Sequence, residues 1–92
     1  MTYKILSVKE LAPKTKMFEV SAPDIAAKAE PGQFVIVILS EEGERIPLTI
    51  CDYDKEKGTV SFAFHEVGKT TKELGRLQVG DVLENVKLFR IF

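Results

Sequence analysis

Apolar positions along the chain fall in short runs that alternate with polar ones, and turn residues separate the runs. Tyr3 to Leu11 carries Ile5 and Leu6, then alternates until Ala12-Pro13-Lys14 interrupts it. Thr15 to Ser21 alternates around Met17, Phe18 and Val20. Pro23-Asp24 predicts a single helical turn through Lys28, with Asp24 placed to cap it. Pro31-Gly32 reads as a turn feeding Gln33 to Leu39, the most β-prone run in the chain. Glu41-Glu42-Gly43-Glu44 reads as a polar turn before the strand Arg45 to Cys51. Residues 52–58 predict a hairpin connection into the strand Thr59 to Glu66. A short helix, Thr70 to Leu74, ends at Gly75, and Gln78 to Asp81 turns into a last strand, Val82 to Val86.

Six strands spaced about 8–15 residues apart, with two short helices, predict an all-β fold. The expected architecture is a six-stranded antiparallel Greek-key barrel with one or two short helices. Closure would remove edges that so small a sheet could not cover. Neither helix is long enough to bridge parallel strands. Ile36, Ile38, Ile46, Leu48, Ile50, Phe62 and Phe64 are expected to supply much of the interior.

Composition narrows the function classes. The 92 residues make one small domain, 45% hydrophobic and 29% charged. Lys+Arg is 13 against Asp+Glu 14, which argues against a nucleic-acid binder. The longest apolar run, Phe34 to Leu39, falls far short of the roughly 20 residues of a membrane helix. The reading is a soluble, cytoplasmic protein. One cysteine, Cys51, and one histidine, His65, leave no nucleophile–base pair and no metal site within the chain, so no catalytic and no metal residue is assigned.

Two stretches carry the chemistry. In Arg45-Ile46-Pro47-Leu48-Thr49-Ile50, period two places Ile46, Leu48 and Ile50 on one face and Arg45, Pro47 and Thr49 on the other. Pro47 lacks an N–H, so it marks an edge, or a place that something other than a strand approaches. In Glu66-Val67-Gly68-Lys69-Thr70-Thr71, a glycine precedes a helix start whose amides suit a phosphate, and Thr70 or Thr71 can cap it. A P-loop is excluded, because position 63, where its first glycine would stand, is alanine. Taken singly, the strand is an edge strand and the turn a helix cap.

In this order the stretches resemble the flavin-binding barrel of the ferredoxin–NADP reductase superfamily. The nearest branch includes the small subunit of NADH-dependent ferredoxin:NADP oxidoreductase (sulfide dehydrogenase), the sulfhydrogenase gamma subunit and the dihydroorotate dehydrogenase electron-transfer subunit. Pro31 to Val35, Arg45 to Ile50, Cys51-Asp52, Glu66 to Thr71 and Val79-Gly80-Asp81 carry the likeness. The resemblance implies FAD as cofactor. It places the flavin ring and ribityl chain against Arg45, Pro47, Leu48 and Thr49, with Pro47 and Leu48 offering the ring an apolar surface and the Thr49 hydroxyl near the flavin N5. Phe64, His65 and Glu66 would run along the ribityl and adenosine side, mainly through backbone groups, and Gly68, Thr70 and Thr71 would hold the pyrophosphate. The superfamily writes Arg-x-Tyr-Ser; with Thr49 as the serine, the arginine position holds Ile46, and Arg45 stands one residue early, on the opposite face unless a bulge re-aims it. The usual stacking tyrosine is replaced by Leu48.

The resemblance further implies an electron-transfer domain of an oxidoreductase subunit, passing electrons between a pyridine nucleotide and iron–sulfur or ferredoxin partners. Residues 1–86 match the barrel. Residues 87–92 stand as an atypical tail where the family continues into a nucleotide-binding domain, so the chain by itself is expected not to catalyse hydride transfer. Leu88, Phe89, Ile91 and Phe92 are expected to pack against a second copy or an exposed part of the barrel. The alternative is a non-catalytic β-barrel interaction module without flavin.

Overall fold

The computed structural model describes residues 2–30, 33–39 and 44–89. In chain order these form β1 (Tyr3–Ala12), β2 (Thr15–Ser21), α1 (Pro23–Lys28), β3 (Phe34–Ile38), β4 (Arg45–Asp54), β5 (Thr59–His65), α2 (Lys69–Gly75), β6 (Val82–Leu83) and β7 (Asn85–Phe89). All pairings are antiparallel, in the order β6-β1-β2-β5-β4-β3-β7. The two ends of that order are neighbours in sequence. Only Glu84 separates β6, paired with β1, from β7, paired with β3. One bent run therefore closes the barrel, and the six expected strands become seven because the last divides at Glu84. The jump from β2 to β5 is the Greek-key step.

Alternation decides which side chains face inward. On β2 and β5, Phe18 and Val20 lie opposite Phe62 and Val60, and all four are fully buried. The rings of Phe18 and Phe64 meet edge-on with centroids 5.0 Å apart, and those of Phe18 and Phe62 at 6.1 Å. On β4, Ile46 and Leu48 are buried as their period requires, and Ile50 is half-buried against the same core. On β3 the expected interior is corrected. Val35 and Val37 are fully buried, while Ile36 and Ile38 are only half-buried on the other face. A continuous apolar run has no period to read; register against Leu48 and Ile46 of β4 sets its inward face.

On β1, register shifts flank Leu6 and Leu11, one extra residue each, and both leucines remain exposed. Helix α1 adds Ile25 and Ala26 to the core. Its N-cap is Ala22, not Asp24, because Pro23 takes the first helical position. The Asp24 carboxylate instead accepts the Tyr3 hydroxyl at 2.9 Å. Residues 87–89, part of the tail expected to pack against a second copy or the barrel, pair with β3 of the same chain. Pro31-Gly32, Glu41 to Gly43 and 90–92 lie outside the described residues.

The Tyr3–Asp24 contact gives a pH prediction. Burial first, then the hydrogen bond to Asp24 and that carboxylate's charge, push the Tyr3 phenol from 10.0 up to about 12. The folded state holds this proton more tightly than the unfolded one. The contribution is therefore complete below about pH 10 and is lost as pH rises towards 12. Tyr3→Phe should be slightly less stable at pH 7 but lose less stability between pH 9 and 12, as urea midpoints would read. Equal alkaline losses in both proteins would refute this.

Candidate functional site

The site lies where two neighbouring strands part. Strand β4 pairs with β5 from the hairpin as far as Ile50 opposite Phe62, with Cys51 as an extra residue between Ile50 and Asp52. Such a bulge bends its strand and sharpens the local twist. Beyond it β4 stays in register with β3 alone, Thr49 opposite Phe34 through Arg45 opposite Ile38. Strand β5 continues beside β2 through His65. Between the parted strands lies a cleft of about 390 Å³. Its β4 wall is Ile46 to Thr49, its β5 wall Ala63 to His65, and Val67 and Thr71 close the end towards α2. Pro47 sits where β4 has a partner on one side only, the place a residue without an N–H tolerates best.

The structure brings Pro47, Leu48, Thr49, Phe64, His65 and Thr71 to this cleft, and leaves Arg45, Glu66, Gly68 and Thr70 outside its lining. Arg45 is exposed on the same face as Pro47 and Thr49. The bulge comes after Thr49, so nothing re-aims it. The Leu48 side chain turns into the core, 6% exposed; it presents backbone, not an apolar surface for a ring, since alternation has committed it inward. Phe64 is likewise a core residue that reaches the cleft only at its wall. His65 is exposed, and its Nδ1 lies 2.9 Å from the Thr15 hydroxyl, which fixes the ring against the opposite strand.

The Glu66 side chain is committed elsewhere. Its carboxylate pairs with Lys16 at 3.3 Å, and Lys16 Nζ also donates to the Gly75 carbonyl at 2.6 Å. A Cβ on Gly75 would lie 2.5 Å from Glu66 Cδ, so the missing side chain makes room for that carboxylate. Glu66 also spends its N–H on the Lys14 carbonyl at 2.7 Å. It faces away from the cleft, into a larger cavity on the other side of α2.

The turn before α2 is tied by one hydroxyl. Thr71 Oγ1 accepts the N–H groups of Val67 at 3.0 Å and Gly68 at 2.9 Å, and donates to the Gly68 carbonyl at 3.1 Å. Thr71, not Thr70, is the capping side chain, with Gly68 itself at the N-cap. Gly68 is extended, at φ −128° and ψ 174°, and an added Cβ would meet only Thr71 Oγ1 at 3.9 Å. Its backbone does not require glycine. Ile46, Ala63 and Val67 line the cleft without having been singled out from the sequence as site residues; Val67, an apolar residue within the otherwise polar turn Glu66 to Thr71, is the signal that could have found one of them. Cys51 is exposed on the bulge, and no cluster of potential metal ligands occurs among the described residues.

Solved structures share this barrel. That of an NADH-dependent reduced ferredoxin-NADP oxidoreductase, studied for flavin-based electron bifurcation, matches with a TM-score of 0.86 at 38% identity, covering 90% of this chain and 30% of that one. A ferredoxin NADP+ reductase from Neisseria gonorrhoeae, with bound FAD and NADP, matches with a TM-score of 0.71 at 22% identity, over 97% of this chain and 38% of that one. The fold is the ferredoxin–NADP reductase-like FAD-binding barrel.

By sequence, the chain is similar to electron-transfer subunits of dihydroorotate dehydrogenase B. It is 38% identical over 86 residues to the electron-transfer subunit homolog of Thermotoga maritima, covering 87% of this chain and 30% of that protein. It is 53% identical over 79 residues to an uncharacterized protein in the adh 3′ region of Clostridium beijerinckii, covering 86% and 27%. The chain thus spans roughly three-tenths of the length of these relatives. No family model matches it. No helix among the described residues is long and apolar enough to cross a membrane.

Proposed function

We propose that the chain holds FAD for an electron-transfer subunit, with the flavin ring in the cleft between β4 and β5. The parting of these strands at Ile50 carries the reading, because it leaves two backbone edges and an apolar floor where an intact barrel would have a ladder. The donor set fits a flavin. Apolar Pro47, Ala63 and Val67 can take the ring faces, and the Thr49 hydroxyl and the Nε2 of His65 stand among them as hydrogen-bonding groups. Bound there, FAD would supply hydride acceptance and single-electron exchange.

The chain's own residues bind and orient. Thr49 donates its hydroxyl from the outer face of β4, and Arg45, exposed on that face, supplies a cation four residues away. Thr15 holds the His65 ring through Nδ1, which leaves Nε2 for a ligand. Thr71 takes up the Val67 and Gly68 N–H groups and so fixes the turn, leaving the Lys69 and Thr70 amides at the start of α2 to meet the pyrophosphate. Leu48, Phe64 and Glu66 contribute backbone or packing only. Electron exchange with an iron–sulfur subunit or ferredoxin, and with a pyridine nucleotide, in a cytoplasmic complex belongs to the same proposal.

An FAD titration tests it by flavin absorbance and fluorescence. Wild type should bind, and Thr49→Val should bind about tenfold more weakly for the lost hydroxyl contact. Gly68→Val should weaken binding further without disturbing the fold, since Gly68 is extended and its surroundings are open. A colourless protein that takes up no FAD would favour the interaction-module reading. Equal affinity in all three would refute the placement.

A further inference from the structure

On the far side of α2 from the cleft lies a concavity of about 950 Å³, the size of a small-molecule site. Four cations ring it: Lys14 from the β1–β2 turn, Lys16 from β2, and Lys72 and Arg76 from α2 and its end. Glu66 is the one carboxylate in its lining, and it is bound to Lys16. Lys14, Lys72 and Arg76 are exposed, and among the described residues their side chains have no ion-pair or hydrogen-bond partner. Three unpaired cations, one from the β1–β2 turn and two from α2 and its end, thus face one hollow, in a chain whose net charge is −1. Like charges gathered this way repel one another until an anion enters. Val8, Leu77 and Val79 add an apolar ledge to the same hollow, and Val79 is 62% exposed.

We propose that this hollow is a second ligand site, separate from the flavin cleft, for a small polyanion of the nucleoside-polyphosphate class. Lys14, Lys72 and Arg76 would hold the phosphates, and the Val8–Leu77–Val79 ledge the base. A bare phosphate would leave the ledge wet, and an uncharged nucleoside would leave the cations unpaired. Lys16 is excluded from direct binding because it already ties Glu66 and the Gly75 carbonyl. The proposal stands whether or not FAD occupies the cleft, since none of the residues named here lines it.

Calorimetric titration of the full chain with ADP at low ionic strength tests it, with pyrophosphate, adenosine and an acidic hexapeptide as further probes. ADP should bind more tightly than the other three, and less tightly as salt is raised. Lys72→Ala and Arg76→Ala should each weaken ADP about tenfold. Both sites are exposed, so the variants should keep the wild-type circular dichroism. Saturation with FAD should leave ADP affinity unchanged. Absence of ADP binding, unchanged affinity in both alanine variants, or displacement of ADP by FAD would overturn the proposal. Tighter binding of the hexapeptide would overturn it in favour of a protein partner.

Discussion

Replacing Phe18 with alanine should remove about 3–5 kcal/mol of stability and leave the barrel close to unfolded at 37 °C. Phe18 is fully buried at the middle of β2, opposite Phe62 across the β2–β5 ladder. Its ring is tilted 56° to that of Phe62 and 79° to that of Phe64, so one truncation breaks two aromatic contacts as well as opening a cavity. The surroundings cannot collapse into the gap, since Val20, Val60 and Phe62 are held in register by the same ladder. A domain of this size has roughly 5–15 kcal/mol in all, so the loss approaches the whole at the lower end. Urea denaturation followed by circular dichroism would read it. Phe18→Leu, which keeps most of the volume, should cost under half as much. A Phe18→Ala midpoint matching wild type would show that the core is not centred on these rings.

What the sequence made legible was periodicity. Arg45 to Ile50 alternates cleanly, and the structure places Arg45, Pro47 and Thr49 outside with Ile46 and Leu48 inside. The same alternation already argued that Leu48 could not share a surface with Pro47; the likeness to a motif with tyrosine near that place had suggested otherwise. Strand β3 was legible as a strand and illegible as to face, because Phe34 to Leu39 offers no polar residue to mark the outside. Its orientation is a property of the pair, decided by what Ile46 and Leu48 present across the ladder.

The candidate site was legible only as an ordered set of motifs. The cleft itself arises from one surplus residue at Cys51, and nothing in Ile50-Cys51-Asp52 announces a bulge. Glu66 followed the strand and preceded the glycine as a ligand residue would, yet Lys16, 50 positions earlier, draws its carboxylate the other way. Asp24 looked like a cap and serves Tyr3. Each miss is a contact between residues far apart in sequence, where local pattern carries no information. The basic hollow is of the same kind, since Lys14 and Arg76 come to line it only once the β1–β2 turn and α2 have been brought together.

Gly58→Val should cost about 2–5 kcal/mol, from two causes that a second variant can separate. Gly58 closes the hairpin between β4 and β5 at φ +69°, in the left-handed region that costs a side-chain-bearing residue roughly 1–2 kcal/mol. Its N–H donates to the Asp54 carbonyl at 2.9 Å and its carbonyl accepts the Ala22 N–H at 2.8 Å, so the backbone is held from both sides and cannot relax to negative φ cheaply. A Cβ there would also lie 3.0 Å from Pro23 Cβ and 3.1 Å from Pro23 Cα. Pro23 has no flexible end to swing aside; it begins α1, whose Ile25 and Ala26 are core residues. Making room means shifting that helix, an overpacking cost of about 1–3 kcal/mol. Gly80 is the control. It has φ +97° but nothing within 4 Å of an added Cβ, so Gly80→Val carries backbone strain without the clash. The difference between the two midpoints in urea should therefore report the contact with α1. Equal losses would mean that Pro23 yields freely, and that α1 is less firmly seated on the hairpin than its buried residues indicate.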